Sequence, residues 1–246
     1  IDNDLVLTDH TPGFGSAAKY VAATVREIGI DASIYNTKSV TIVEIMGRHA
    51  GWLTGASALA RQFEGDNPVL IYLPEVDFDE GIHDASKKFI CEYGSNVGTD
   101  NFGHKMLAGC GKYLENLVKN RLGVKVRSVE LNVTQRASSA QISNTDLLEA
   151  IEAGSYAVIS ALNGHTGLMT AFERVSTEPY KIQCTLKDVN DICNKEKTVP
   201  AEWISENKAD VTKDFIDYAR PLIEGNIHVP EENGLPKFVY RKEFTK

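Results

Sequence analysis

Val40-Thr41-Ile42-Val43-Glu44-Ile45 is almost unbroken β-branched sequence, and it runs directly into Met46-Gly47-Arg48. Branching at Cβ favours extended backbone, and near-continuous apolarity suits a strand buried on both faces. The glycine lets the chain turn sharply into a helix, expected from about Trp52 to Phe63. Val69-Leu70-Ile71-Tyr72-Leu73, closed by Pro74, has the same character and is expected to be a second buried strand. Strands alternating with helices imply an α/β fold with a mainly parallel sheet. Ligands of such sheets sit beyond the carboxyl ends of the strands, where Met46-Gly47-Arg48 falls. Arginine's planar fork suits phosphate oxygens there, but a strand-to-helix turn needs a glycine for structural reasons too. Spacing alone leaves both readings open.

The remaining elements follow from periodicity. Val21, Val25 and Ile28 keep helical spacing, predicting a helix over about Pro12 to Ile28 with Thr11 as N-cap and Pro12 as first helical residue. A helix is expected over Leu107 to Arg121, then a strand over Val124 to Val133 whose alternation changes phase at Ser128. Ile142 to Ala161 reads as a long amphipathic helix capped by Ser143 or Asn144. Leu168 to Val175 and Tyr180 to Leu186 read as strands, and Thr212 to Ile223 as a last helix. Around Lys87 to Ser95 a lysine-rich helix end meets strand-like sequence with no turn chemistry between them. Residues are expected to be absent from the chain at that point, near Lys88-Phe89, and also before Ile1.

Composition narrows the function. A formal net charge of -8 and the lack of a Lys/Arg stripe argue against nucleic acid as a partner. No apolar run approaches the roughly 20 residues needed to cross a bilayer, so no membrane partner is expected. The four cysteines, Cys91, Cys110, Cys184 and Cys193, are widely spaced, which suits reduced thiols in a cytoplasmic protein. Gly109-Cys110-Gly111-Lys112-Tyr113 imitates the end of a P-loop, but position 106 is Met and Tyr113 cannot supply the metal-binding hydroxyl. The six histidines, His104 among them, show no metal-ligand spacing.

The chain opens with Ile1-Asp2-Asn3-Asp4. On an extended segment two carboxylates at i and i+2 point the same way, which suits acid–base work on a hydroxyl or the holding of a divalent cation. An Asx turn ahead of a helix explains the same residues, and alone they do not decide.

Taken together, Asp2-Asn3-Asp4, the following Thr8-Asp9-His10-Thr11-Pro12-Gly13-Phe14-Gly15, Met46-Gly47-Arg48 and Gln135-Arg136 resemble the phosphofructokinase family in order and distance. The resemblance covers Ile1 to about Ala161, and the segments from Leu5 to Ser16 and Asn132 to Ala137 look most like the bacterial pyrophosphate-dependent branch. It implies three-layer Rossmann-like lobes with mainly parallel sheets, incomplete here because the family's donor-phosphate loops precede its Asp-Asn-Asp motif. Residues 1–37 would be the end of the donor-binding lobe and a linking helix, 38–165 the fructose 6-phosphate lobe, and 166–246 strands and a helix packing back on both.

The implied reaction is Mg2+-dependent transfer of a phosphoryl group from pyrophosphate to the 1-hydroxyl of fructose 6-phosphate. The ATP-dependent enzyme, or an inactive sugar-phosphate-binding fragment, are the alternatives. By resemblance Asp2 is the general base, Asp4 the carboxylate near the metal, and Arg48 the group that stabilises the transferring phosphoryl. Met46, Gly47, Arg127, Gln135 and Arg136 would hold the sugar phosphate. No metal ligand is assigned. A family histidine between Arg127 and Gln135 is replaced by Val133, and an arginine that crosses a subunit boundary is replaced by Ser39, beside Lys38. A homodimer or larger homo-oligomer is still expected. Glu75 is tempting, but the resemblance puts it in an effector region, and it is left out of the site.

Overall fold

The computed structural model describes residues 1–47, 50–76 and 110–238. Arg48, the Lys87–Ser95 stretch, Cys91 and His104 therefore lie outside the described residues. Helix α1 (Phe14–Ser33) leads to strand β1 (Ser39–Glu44), and a short helix α2 (Trp52–Ala56) continues as a 3-10 turn over Ser57–Ala60. After α3 (Gly111–Leu122) come β2 (Lys125–Glu130), α4 (Thr134–Ala137) and the long α5 (Asn144–Leu162). The hairpin β3 (Leu168–Thr177) and β4 (Tyr180–Asp188), α6 (Val189–Ile192) and α7 (Lys213–Ala219) with its 3-10 extension Arg220–Ile223 follow. A two-residue pair, β5 (Glu231–Glu232) and β6 (Leu235–Pro236), closes the described chain.

β1 and β2 pair in parallel, Thr41 opposite Arg127 and Glu44 opposite Glu130, with α3 packed on both. β3 and β4 pair antiparallel around Phe172 and Cys184, with an irregularity between Arg174 and Ser176. The main core is built from α1, α2 with its 3-10 turn, the 71–73 stretch and the segment from Val199 to Leu222. Trp52 is its hub: its ring stacks on Phe215 at 6.0 Å and meets Phe14, Trp203 and Tyr218 at 6.4, 6.1 and 5.3 Å. Such aromatic pairs are worth about 0.5–1.5 kcal/mol each beyond the area they bury. α1 feeds Phe14, Ala17, Ala18 and Ala22 into this core, and its predicted inward residues Val21 and Val25 pack with Ala60 and Leu131 in a second cluster. No helix among the described residues is long and apolar enough to cross a membrane.

Four local expectations are corrected. The opening segment is not extended, because Asn3 takes a left-handed backbone with φ 62°. α1 starts at Phe14 rather than Pro12, with Gly13 at the cap position and φ 89°. The side chain that satisfies its first amides is distant in sequence: the Asp146 carboxylate, on α5, accepts from Gly13 N at 2.7 Å and Ser16 N at 3.0 Å. An anion at a helix N-terminus is favoured by the exposed amides and the helix dipole, so no local Thr cap is needed. Gly15 is obligatory for another reason, since a Cβ there would stand 2.2 Å from the Leu222 carbonyl.

Val69 to Leu73 joins no sheet among the described residues. Only Ile71 and Leu73 are buried, at 3% and 1% exposure, and Ile71 N donates to Ala209 O at 2.8 Å. The stretch covers the core with one face and leaves Val69, Leu70 and Tyr72 outside, so it is not buried on both faces. β2 ends at Glu130, three residues earlier than its apolar pattern suggests, because the chain turns to bury Gln135.

Candidate active site

Two regions carry the described residues singled out by sequence, Arg127 excepted. The first is the carboxyl end of β1. Gln135, 2% exposed, accepts from Met46 N at 2.8 Å through Oε1 and donates to Met46 O at 3.0 Å through Nε2. This reciprocal pair copies a strand's hydrogen bonding after the strand has ended, and it fixes the Met46-Gly47 turn against α4. The side-chain amide is fully engaged there, so in this structure Gln135 orients the turn. Its neighbour Arg136 is exposed, as is Gly47.

Further along the same loop, Glu75 Oε1 accepts from Gly51 N at 2.8 Å and from Val199 N at 2.9 Å. Glu75 thus braces the start of α2 against the C-terminal segment. The Trp52 indole N–H donates to Lys197 O at 2.8 Å, and Lys197 N donates to Asp4 O at 2.6 Å. Through Lys197 the acidic opening of the chain is tied to the helix that directly follows the Met46-Gly47 turn.

Arg127 lies elsewhere. It sits opposite Thr41, and Met46 is five residues beyond Thr41. At about 3.3 Å per residue that is on the order of 15 Å along the sheet. Its guanidinium instead meets the end of α1, 3.6 Å from Asp31 Oδ2 and 5.5 Å from the Tyr35 ring centre. Within one chain the structure does not bring Arg127 to Met46 and Gln135.

The second region is the opening segment itself. Asn3 is completely buried between the half-buried Asp2 and Asp4. Its amide donates to the Tyr218 hydroxyl at 2.9 Å, and its carbonyl accepts from Thr11 N at 3.0 Å. Asn is one of the few side chains that tolerate a left-handed backbone, and local hydrogen bonding is the reason. The Asp2 carboxylate has no hydrogen-bond or ion-pair partner among the described residues.

Behind this segment is a buried ionic knot that sequence reading missed. His10, 1% exposed, lies between Asp9 Oδ2 at 2.8 Å from Nδ1 and Glu149 Oε2 at 2.7 Å from Nε2. Glu149 Oε1 also accepts from the Tyr180 hydroxyl at 2.7 Å, and Arg174 Nη2 donates to Asp9 Oδ2 at 2.9 Å. Burial by itself would lower the His10 pKa, but hydrogen bonds donated by the ring to the Asp9 and Glu149 carboxylates outweigh it and raise it. Burial would raise Asp9, yet hydrogen bonds from His10 and Arg174 hold it below the ordinary carboxylate range. Lys197 Nζ donates to Thr8 O and Asp9 O at 3.1 and 2.7 Å, and burial lowers its pKa to about 8.

The sequence carried one usable signal for this region. Asn between two acids in a turn asks for a left-handed residue. The partners Glu149, Arg174 and Tyr218 gave none.

Asp2 and Asp4 are both half-exposed, and carboxylates are the ligand type that a hard divalent cation such as Mg2+ takes. That ion is commonly held by one or two carboxylates together with substrate phosphates. Among the described residues no group of three His, Cys, Asp or Glu side chains is placed to hold a metal ion.

The sequence pattern of the phosphofructokinase family matches residues 1–161. The chain is 38% identical over 96% of its length to a pyrophosphate–fructose 6-phosphate 1-phosphotransferase of Halomonas elongata, covering 62% of that relative. It is 36% identical over 97% of its length to one of Methylococcus capsulatus, again covering 62% of the relative. Among solved structures it resembles a pyrophosphate-dependent phosphofructokinase from Marinobacter aquaeolei with a TM-score of 0.81 and 36% identity, over 96% of this chain and 61% of that one. The chain thus spans somewhat less than two thirds of the length of these relatives.

Proposed function

The chain belongs to the phosphofructokinase family, and we propose that it supplies the sugar-phosphate part of an enzyme that phosphorylates fructose 6-phosphate from pyrophosphate. The observation that carries this reading is the opening Asp2-Asn3-Asp4 turn. Its central residue is locked into the core, and its flanking carboxylates are left half-exposed beside a buried scaffold.

In the proposed reaction the sugar 1-hydroxyl attacks a phosphorus of pyrophosphate, the bridging P–O bond breaks, and orthophosphate leaves. Asp2 accepts the hydroxyl proton as the new P–O bond forms, giving fructose 1,6-bisphosphate. Asp4, whose backbone is held by Lys197, would share with Asp2 the binding of Mg2+. When bound, that ion would neutralise charge on the phosphoryl oxygens. Met46 and Gly47 present backbone to the sugar phosphate and lead into Arg48, the guanidinium proposed to face the migrating group. Gln135 sets that turn, and the exposed Arg136 is free to meet the 6-phosphate.

Arg127 fits the same chemistry only if it serves the pocket of a second copy, because in its own chain it sits opposite Thr41, five residues before Met46, and its guanidinium turns to Asp31. This favours the homodimer or larger assembly. Cys110, Cys184 and Cys193 are in no disulfide among the described residues, which suits a cytoplasmic location.

Assay of the full-length protein with fructose 6-phosphate and either pyrophosphate or ATP separates the donors. Asp2→Ala is expected to lower turnover about 10²- to 10⁴-fold, the range of general acid–base contributions, with little change in sugar affinity. An unchanged turnover number would remove Asp2 from the mechanism.

A further inference from the structure

We propose that Tyr218 is a positioning residue for the Asp2/Asp4 pair, acting through Asn3; this rests on the reading of Asp2 as the base. The hydroxyl of Tyr218 touches both ends of the loop bearing those carboxylates. It accepts from Asn3 Nδ2 at 2.9 Å and donates to Asp9 O at 2.6 Å. Asn3 in turn closes the loop by accepting from Thr11 N at 3.0 Å. Asp9 N donates to Phe172 O at 2.8 Å, so the far side of the loop is fastened to β3.

The phenol itself has little freedom. Its ring lies 5.3 Å from Trp52 and 5.1 Å from Trp203, and the Arg174 guanidinium stands 4.7 Å from its centre. Arg174 also donates to the Tyr218 carbonyl at 3.1 Å. Burial raises the hydroxyl's pKa, so it keeps its proton at any working pH and its two hydrogen bonds keep their direction. A left-handed Asn3 has no helix or strand ladder to hold it, and its side-chain bonds are what select that backbone. Loss of the Tyr218 hydroxyl frees the Asn3 amide inside the core and lets residues 2–4 shift. Misplacing a reacting group by about 1 Å can cost about 100-fold in rate.

The test uses the full-length enzyme with Tyr218→Phe, which keeps the aromatic packing, and Asn3→Gly, which keeps the left-handed backbone accessible. Asp2→Asn serves as the reference. Tyr218→Phe is expected to lower kcat about 10- to 100-fold while KM for fructose 6-phosphate stays within about twofold. Amide exchange over residues 2–11 should quicken while α1 stays protected. The two changes combined should cost little more than either one, since they break the same link.

Wild-type kcat and unchanged exchange in Tyr218→Phe overturn the inference. So does additive behaviour of the pair, or exchange that quickens equally throughout the molecule, which would mark a merely structural role. Turnover retained by Asp2→Asn sinks the proposed function instead, and the exchange of residues 2–11 then decides the role of Tyr218 by itself.

Discussion

The two ends of this molecule hold their polar groups in opposite ways. Around the opening segment the charges are inside: Asp9, His10, Glu149 and Arg174 form a knot among Phe172, Tyr180 and Tyr218. At the β1–β2 pair they are outside. Lys125 and Arg127 cover the Tyr35 ring, and the strand residues are mostly half-buried. Removing a partner from a buried ionic group leaves an uncompensated charge in a low-dielectric interior, whereas an exposed pair is exchanged for water at almost no cost. The segment bearing the proposed base is thus anchored rigidly, while the proposed phosphate-facing arginines stand on an open surface. Rigidity is placed where a proton must be taken at hydrogen-bond distance, and long flexible cations where a charged group must be captured.

Arg174→Met tests the contrast most severely. It removes the cation beside Asp9 and is expected to destabilise the fold by about 3–5 kcal/mol, as breaking buried pairs does. Urea unfolding would measure this, and a loss below about 1 kcal/mol would mean that the knot is as dispensable as the open end.

Gln135→Ala should come next. It leaves the Met46 backbone amide and carbonyl without their partner and is expected to cost about 1–3 kcal/mol, with a higher KM for the sugar phosphate. Loss of stability with no change in KM would separate Gln135 from the site.

The pH dependence sharpens the comparison further. His10 has a folded pKa above its ordinary 6.5, so its stabilising contribution is complete below that value and is lost as pH rises through the raised folded value. Asp9, with a depressed folded pKa, contributes above its ordinary 3.8 and loses that contribution as pH falls through the folded value. Melting temperature followed against pH should therefore fall on the alkaline side, and His10→Gln should flatten that fall. An identical profile in both proteins would show that the imidazole is not charged in the knot.

The smallest effect is expected at Arg127. Arg127→Ala should change the stability of the isolated chain by no more than about 0.5 kcal/mol, because its ion pair with Asp31 is exposed. A larger loss would show that the open end is not open.

Much of the architecture could be read locally. The β-branched run from Val40 became β1, Val21 and Val25 became the inward face of α1, and Ser143 caps α5 by accepting from Asp146 N. The motifs at Asp2-Asn3-Asp4, Met46-Gly47 and Gln135-Arg136 pointed to the family to which the chain belongs. Local reading failed where a side chain's direction depends on something far away. Val69–Leu73 has the composition of a central strand but joins no sheet among the described residues, and the phase of β2 gave no hint that Gln135 would turn inward to clasp Met46.

What the sequence alone determined is periodic and local: which stretches are helical or extended, where glycine permits a turn, and which acidic pair opens the chain. Side-chain spacing reports a face, and a face can be read from neighbours three or four residues away. Only the tertiary structure decided the company those residues keep. Arg174 reaches Asp9 across 165 positions, and Tyr218 reaches Asn3 across 215. No periodicity encodes such meetings, because they depend on which buried polar groups the folded core leaves within hydrogen-bond distance of one another.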